Sequence, residues 1–97
     1  MEKMPRLSNV EYEILNLLRA GEMYGLEMVR ESSLLKRGTV YVTLDRMVAK
    51  GFLTSRSEDL PHEAGIARRM YKITALGQRV RAARDAAETA FARGALA

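Results

Sequence analysis

A basic cluster with interleaved hydroxyl groups occupies the middle of this 97-residue sequence, and its spacing suits contact with nucleic acid. The candidate contact residues are Lys36, Arg37, Thr39, Tyr41, Thr43, Arg46 and Lys50. Arginine can donate two hydrogen bonds to guanine O6 and N7, and threonine can offer a hydroxyl or a methyl group to a base edge. Arg37 and Thr39 stand where base edges are read, whereas Arg46 and Lys50, further along, would reach phosphates. Tyr41 either meets a phosphate with its hydroxyl or closes the core with its ring.

A second pair of cations, Arg68 and Arg69, lies in a strand-like segment, where neighbouring side chains point to opposite faces. Only one of the two is therefore expected to face DNA, in the minor groove or at a phosphate. The polar stretch before this segment carries Glu58, Asp59 and Glu63, which phosphate would repel. The base of the hairpin, not its tip, is the predicted contact.

The sequence offers little for catalysis or for a metal site. It contains no cysteine, and its one histidine, His62, lies in the polar hairpin tip. A thiol nucleophile, a disulfide and a thiolate metal site are thereby excluded. Tyr24 has no general base or oxyanion site to accompany it. We therefore expect a protein that is not an enzyme and has no cofactor, and we interpret His62 as a solvated loop residue.

Charge is distributed unevenly along the chain. Residues 1–35 carry four Lys/Arg and six Glu, a balance of −2, whereas residues 36–97 carry twelve Lys/Arg and six Asp/Glu, a balance of +6. A basic half is typical of nucleic-acid binding, although a merely solvated surface gives the same composition. No apolar signal segment opens the sequence, and no apolar run approaches the roughly 20 residues of a membrane span, so we expect a cytoplasmic protein with no membrane partner.

Hydrophobic periodicity predicts the elements that must position these residues. Ser8-Asn9-Val10-Glu11 has the spacing of a capping box and predicts a helix that begins there. The predicted helices span about residues 9–20, 26–31, 39–50 and 74–93, and the predicted strands span 52–56 and 70–74. The fold class is therefore mainly α (α+β): a winged helix-turn-helix with a two-stranded β-hairpin wing and a C-terminal dimerisation helix.

The sequence divides into a predicted winged-helix domain, residues 1–74, and a C-terminal dimerisation helix, residues 75–97. The terminal helix carries one apolar stripe, whose members are Leu76, Val80, Ala83, Ala87 and Phe91. This stripe can fold back on the three-helix core or pack against a second copy of the chain. A domain of this length buries a modest core, which favours burial shared with a second copy.

Five short motifs, taken together and in this order, resemble the PadR family of bacterial transcriptional regulators. The motifs are Leu7-Ser8 with Glu11 and Ile14-Leu15, Gly21-Glu22-Met23-Tyr24-Gly25, Lys36-Arg37-Gly38-Thr39-Val40-Tyr41 with Leu44 and Arg46, Lys50-Gly51, and Arg68-Arg69-Met70-Tyr71-Lys72-Ile73-Thr74 with Gly77. The resemblance implies a winged-helix domain, homodimerisation through C-terminal helices and repression by operator binding. Val42 stands where the family usually has proline. The short C-terminal segment resembles the smaller branch of the family, which has a single terminal helix.

The residues and the resemblance together predict a sequence-specific repressor that binds double-stranded DNA as a homodimer. A two-fold dimer presents two recognition helices, so the operator is expected to be an inverted repeat with half-sites roughly 34 Å apart. The alternative is a winged-helix protein–protein adaptor, whose binding would depend only weakly on salt. Family members that sense small molecules use a pocket lined by the C-terminal region, and the shortness of that region here leaves a small-molecule effector undefined.

Overall fold

A computed structural model describes residues 6–60 and 67–96, and it consists mainly of helices flanked by a small sheet. The helices are α1 (Asn9–Leu17), α2 (Gly25–Glu31), α3 (Val40–Ala49) and α4 (Ala75–Leu96), with a 3₁₀ turn over Leu18–Ala20. The strands are β1 (Met23–Tyr24), β2 (Leu53–Asp59) and β3 (Ala67–Ile73). The predicted winged-helix fold class is confirmed. Within the described ranges, no helix is both long enough and apolar enough to cross a lipid bilayer.

Local capping interactions fix where the helices begin and end. The predicted capping box is present, because the Glu11 amide donates to Ser8 Oγ at 3.1 Å and the Ser8 amide donates to Glu11 Oε1 at 2.9 Å. Thr74 precedes α4, and its Oγ1 accepts a hydrogen bond from the Gly77 amide at 3.0 Å. Gly51 follows α3 with φ of 82°, a left-handed conformation that favours glycine.

The predicted two-stranded hairpin wing is present as β2 and β3, and the sheet contains a third strand, β1, that the sequence pattern does not indicate. Its order is β1-β3-β2, and all three strands are antiparallel to their neighbours. The segment between the first two predicted helices supplies β1, in which Met23 pairs with Tyr71 and Tyr24 pairs with Met70. A strand of two residues is too short to produce an alternating pattern, so only its pairing with β3 reveals it. The hairpin strands are also longer than predicted, seven residues each.

The hydrophobic core lies between the three N-terminal helices, the sheet and the first turns of α4. Its buried members are Ile14, Leu15, Leu18, Met28, Leu35, Val40, Leu44, Met47, Phe52, Leu53, Tyr71, Ile73 and Val80. The start of α4 approaches β2 closely, since a Cβ at Gly77 would overlap the Phe52 carbonyl oxygen. The Thr74 amide donates to that same oxygen at 3.0 Å. These contacts fix the direction in which α4 leaves the domain.

Side-chain hydrogen bonds in the second and third turns of α4, two of them from Arg84, hold this helix against α1. Arg84 donates to the Leu7 carbonyl oxygen and to Asn9 Oδ1, both at 2.8 Å, and its guanidinium lies 4.7 Å from the centre of the Tyr12 ring. Beyond this point, residues 85–94 of α4 are exposed on all sides. The helix thus extends away from the domain as an arm.

Candidate nucleic-acid interface

Helix α3 turns one face into the core and leaves the other open to solvent. Val40, Leu44 and Met47, which recur at the spacing of one helical face, are buried, and Val48 is half-buried. The opposite face is exposed and consists of Val42, Asp45, Arg46 and Ala49. Val42 is 61% exposed and marks the outermost line of the helix. A helix with such a free outer face can enter a major groove.

The turn before α3 places cations at the N-terminus of this helix. Lys36 and Arg37 are exposed. The Lys36 carbonyl oxygen accepts hydrogen bonds from the amides of Thr39 at 3.1 Å and Val40 at 2.9 Å, which fixes the turn against the helix. The first turn of α3 has no acidic residue and no side-chain cap. Because a helix N-terminus carries partial positive charge, this end of α3 and the two cations before it form an electropositive region.

Two of the predicted contact residues on α3 also serve the fold. Thr43 is half-buried, and its hydroxyl donates to the Thr39 carbonyl oxygen at 3.2 Å. The Tyr41 ring packs against the start of α2, where a Cβ on Gly25 would lie 2.6 Å from Tyr41 Cε1. Tyr41 nevertheless remains 43% exposed. Its ring therefore has a packing role, and the contact between its hydroxyl and a phosphate stays a prediction.

Lys50, at the end of α3, is engaged within the chain. Its Nζ lies 2.8 Å from Glu11 Oε2, and that carboxylate is largely buried. Burial by itself would raise the pKa of Glu11, but hydrogen bonds from Lys50 and the Ser8 backbone, together with the Lys50 charge, hold this pKa below its ordinary value. The Lys50 charge is balanced by Glu11, so Arg46 is the cation of α3 that makes no ion pair within the described residues.

The arginines on the two faces of the hairpin differ in whether they form ion pairs within the chain. Arg69 lies on the face of the core residue Tyr71, since side chains two residues apart on a strand share a face. The Arg69 guanidinium is exposed and donates one hydrogen bond to Ser55 Oγ at 3.2 Å. Arg69 is thus positioned beside α3 with most of its donors free.

Two cations on the opposite face of the hairpin, Arg56 and Arg68, are engaged with side chains of the same chain. The Arg68 guanidinium stacks 4.4 Å from the centre of the Tyr24 ring, and its Nε lies 3.7 Å from Glu58 Oε2. Arg56 donates to both carboxylate oxygens of Glu22, at 2.9 and 3.0 Å. The hydrogen bond from Arg56 is the main reason why the pKa of Glu22 is lowered. As expected for neighbours on a strand, Arg68 and Arg69 face opposite ways.

Tyr71 connects the hairpin to α3. Its side chain is 1% exposed, and burial raises the pKa of Tyr71. The negative charge of Asp45 raises this pKa further, whereas the positive charge of Arg69 lowers it. Asp45 on the helix and Arg69 on the strand therefore both act electrostatically on this buried side chain. The surface formed by α3, its preceding turn and Arg69 is called the α3–wing surface below.

Comparison with known families identifies this arrangement. The model of the transcriptional regulator PadR-like family matches residues 14–83 of the chain. The chain belongs to the PadR-like family. It is thus a transcriptional regulator of the DNA-binding, winged-helix type. Comparison with proteins of curated function finds no significant sequence match.

Solved PadR structures share the fold over most of this chain. A PadR family transcription regulator from Clostridium difficile R20291 matches over 92% of this chain and 95% of its own, with a TM-score of 0.75 and 25% identity. Bacillus subtilis PadR, solved in complex with operator DNA, matches over 77% of this chain and 45% of its own, with a TM-score of 0.67 and 26% identity. A PadR family transcriptional regulator from Eggerthella lenta DSM 2243 has a TM-score of 0.75 and 22% identity, over 89% of this chain and 77% of its own.

In this PadR-like chain, the apolar stripe predicted for dimerisation is divided between two environments. Val80 is buried in the chain's own core, and Leu76 and Ala83 are half-buried. Ala87 is exposed, and Phe91 is 81% exposed. The domain thus covers the first half of the stripe, and the second half is uncovered in the single chain.

The α3–wing surface also contains residues that sequence reasoning did not assign to the site. They are Asp45, an acidic residue that does not fit a basic pattern, and the exposed Val42. The spacing of Val40 and Leu44 identifies the buried face of α3, and Val42 and Asp45 lie on the opposite, exposed face. Conversely, His62 lies outside the described residues. Among the described residues, no group of three His, Cys, Asp or Glu side chains is placed to hold a metal ion.

Proposed function

We propose that this PadR-like regulator is a repressor that binds an inverted-repeat operator as a homodimer. The observation that carries the proposal is a set of exposed cations around α3. They share one property, the absence of an ion pair among the described residues, and they are Lys36, Arg37, Arg46 and Arg69. Unpaired cations release counterions from DNA when they bind phosphates, which is the main source of affinity for a duplex.

The positions of these cations support a division of labour on DNA. Arg37 precedes the N-terminus of α3, where side chains of a recognition helix reach base edges, so we assign it to reading guanine. Arg46 and Arg69 lie further from that end, and we assign them to phosphates, which fix register without specifying sequence. The operator complex of Bacillus subtilis PadR, 26% identical to this chain, supports DNA as the ligand.

The arm of α4 supports a dimer. Its exposed segment, residues 85–94, has no core of its own to pack on, and Phe91 is 81% exposed there. Fully burying a phenylalanine side chain is worth about 1.5–3 kcal/mol, and a two-fold axis would bury two of them. We propose that the uncovered half of the stripe, with Ala87 and Phe91, packs against a second copy.

A two-fold dimer dictates the form of the operator. The two α3 helices would enter successive major grooves, so the half-sites would be inverted and roughly 34 Å apart. A protein that occupies two successive grooves excludes other proteins from the same stretch of DNA. Repression by occlusion of a promoter is the expected consequence.

Selection from a pool of randomised duplexes tests this proposal. The purified protein is incubated with the pool at two salt concentrations, and the bound fraction is amplified and sequenced over several rounds. We expect enrichment of an inverted repeat and an affinity that falls by orders of magnitude over a few-fold rise in salt. Absence of an enriched sequence, together with binding that does not respond to salt, would refute a DNA ligand for the α3–wing surface.

Repression itself is tested by transcription in vitro. A promoter overlapped by the selected inverted repeat is transcribed with and without the protein, and a promoter with a scrambled repeat is the control. Transcript from the first promoter should fall as protein is added, while the second is unaffected. An increase in transcript from the first promoter would show an activator instead.

A further inference from the structure

Asp45 is a lone carboxylate on the otherwise basic α3–wing surface. It is exposed at the middle of α3, directly before Arg46 and downstream of Lys36 and Arg37. Among the described residues it takes part in no ion pair, and its carboxylate accepts no side-chain hydrogen bond. The charge of Asp45 is therefore not used to stabilise the fold.

The position of Asp45 on the helix places it where bases are read. It follows Val42 by three residues, so the two side chains lie one above the other on the outer face of α3. Val42 is 61% exposed, which marks this line as the part of α3 that projects furthest from the domain. Asp45 stands five residues after Val40, about 7.5 Å along the helix axis. Val42 and Asp45 thus lie in the first two turns of α3, the part of a recognition helix that enters a groove.

We propose that Asp45 is a specificity-determining residue that accepts a hydrogen bond from the N4 amino group of a cytosine in each half-site. The inference rests on the proposed function, because α3 must lie in the major groove for Asp45 to reach a base. An ionised carboxylate only accepts hydrogen bonds, so it requires a donor on the base edge.

The donor pattern of the major groove singles out cytosine. Guanine presents two acceptors, N7 and O6, and thymine presents the acceptor O4, so each repels a carboxylate. Adenine presents its N6 donor beside the acceptor N7, which offsets part of the gain. Cytosine presents the N4 donor without an adjacent ring acceptor in the groove. A carboxylate at this position therefore reads cytosine mainly by excluding the other bases.

The electrostatic setting makes this role measurable. A carboxylate among DNA-binding cations reduces attraction to the phosphates of every duplex, whatever its sequence. The loss is recovered only where a base edge offers a donor. Arg69, the cation across the buried Tyr71, does not neutralise Asp45, since no ion pair joins them and Arg69 bonds to Ser55 instead. Removing the carboxylate should therefore strengthen binding to unrelated DNA and weaken discrimination at one position.

Selection from randomised duplexes, run in parallel on three proteins, tests the inference. The proteins are the wild type, Asp45→Asn and the control Asp59→Asn, which removes the same charge from an exposed residue at the end of β2. In the wild type we expect one position per half-site to be cytosine. Asparagine hydrogen-bonds adenine N6 and N7, so Asp45→Asn should change that position from cytosine to adenine. The preference at that position should change by roughly 5- to 150-fold, with the rest of the motif retained.

The outcomes separate this inference from the proposed function. A wild type that selects no motif refutes the proposed function before any variant is compared. A wild type and an Asp45→Asn variant that select the same motif overturn the role of Asp45 and leave the proposed function standing. The same holds if Asp59→Asn produces the same change as Asp45→Asn, because the effect would then be one of net charge.

A second variant guards against a structural explanation. Asp45→Ala removes the acceptor without adding a donor, so the cytosine position should become degenerate and affinity for unselected DNA should rise a few-fold. The midpoints of thermal unfolding of both variants should match the wild type, because Asp45 makes no side-chain contact that holds the fold. A large fall in either midpoint would assign Asp45 to the structure and overturn the inference.

Discussion

The two faces of the hairpin lead to a prediction about salt dependence. Arg69 lies beside α3 and makes no ion pair among the described residues, whereas Arg56 lies on the opposite face and is bound to both oxygens of Glu22. Arg69→Ala should therefore weaken binding to all duplexes about equally and reduce the response to salt. Arg56→Ala makes the same chemical change in the same hairpin and should alter neither property.

The size of the effect follows from the number of phosphates contacted. In a dimer the two Arg69 side chains would neutralise two phosphates, and each contact contributes about −0.9 to the slope of log affinity against log salt. Arg69→Ala should then reduce the magnitude of this slope by about 1.8. Over a rise from about 50 to 200 mM salt, the variant should lose about twelvefold less affinity than the wild type.

Fluorescence-anisotropy titrations of a labelled duplex at four or five salt concentrations measure these slopes. The titrations use the selected operator and a scrambled duplex, since a phosphate contact acts on both. An unchanged slope in Arg69→Ala would refute the assignment of Arg69 to a phosphate. An equal reduction in Arg56→Ala would refute the argument that an intrachain ion pair withdraws a cation from DNA.

Three further predictions concern base reading, dimerisation and stability. Arg37→Ala should lower the preference for operator over scrambled duplex by about 1–3 kcal/mol; an equal loss of affinity on both duplexes in competition titrations would assign Arg37 to phosphate. Phe91→Glu should give a monomer in sedimentation velocity, while Thr89→Glu, on the far side of the same helix, should leave the dimer intact. If both variants remain dimeric, the interface lies elsewhere. Glu11→Gln keeps the capping hydrogen bonds but loses the ion pair with Lys50, so the free energy of unfolding at pH 7 should fall by about 1 kcal/mol. Because folding lowers the pKa of Glu11, the wild type keeps this stabilisation above pH 4.5 and loses it as the pH falls through the folded pKa. Denaturant titrations at several pH values should show a flatter acid dependence for Glu11→Gln, and equal curves for the two proteins would contradict the argument.

The sequence determined those features that depend on neighbours along the chain. Ser8 and Glu11 are three residues apart, so their reciprocal hydrogen bonds form within the first turn of α1 itself. The inward face of α3 follows from the spacing of Val40 and Leu44, and the end of this helix follows from Gly51. The family motifs indicate which known fold the predicted elements form together, whereas the periodicity of a single segment predicts only that segment.

The tertiary structure decided which charges remain available. Lys50 has the same charge as Arg46 in the sequence, but the fold brings it to Glu11, 39 residues away. The hairpin likewise brings Arg56 to Glu22, 34 residues away. An ion pair between distant residues depends on the three-dimensional path of the chain, and no local pattern encodes it.

Tertiary packing also determines the third strand of the sheet and the length of α4 that is buried. The edge strand β1 exists because Met23 and Tyr24 pair with β3, and α4 keeps an exposed half because the rest of the domain covers only its first three turns. Hydrophobic periodicity identifies an apolar face but does not specify which neighbour buries it, since burial is a property of surfaces brought together by the fold. The spacing of residues along the chain therefore specifies the helices and their apolar faces, whereas tertiary packing specifies which side chains are engaged within the fold and which remain exposed.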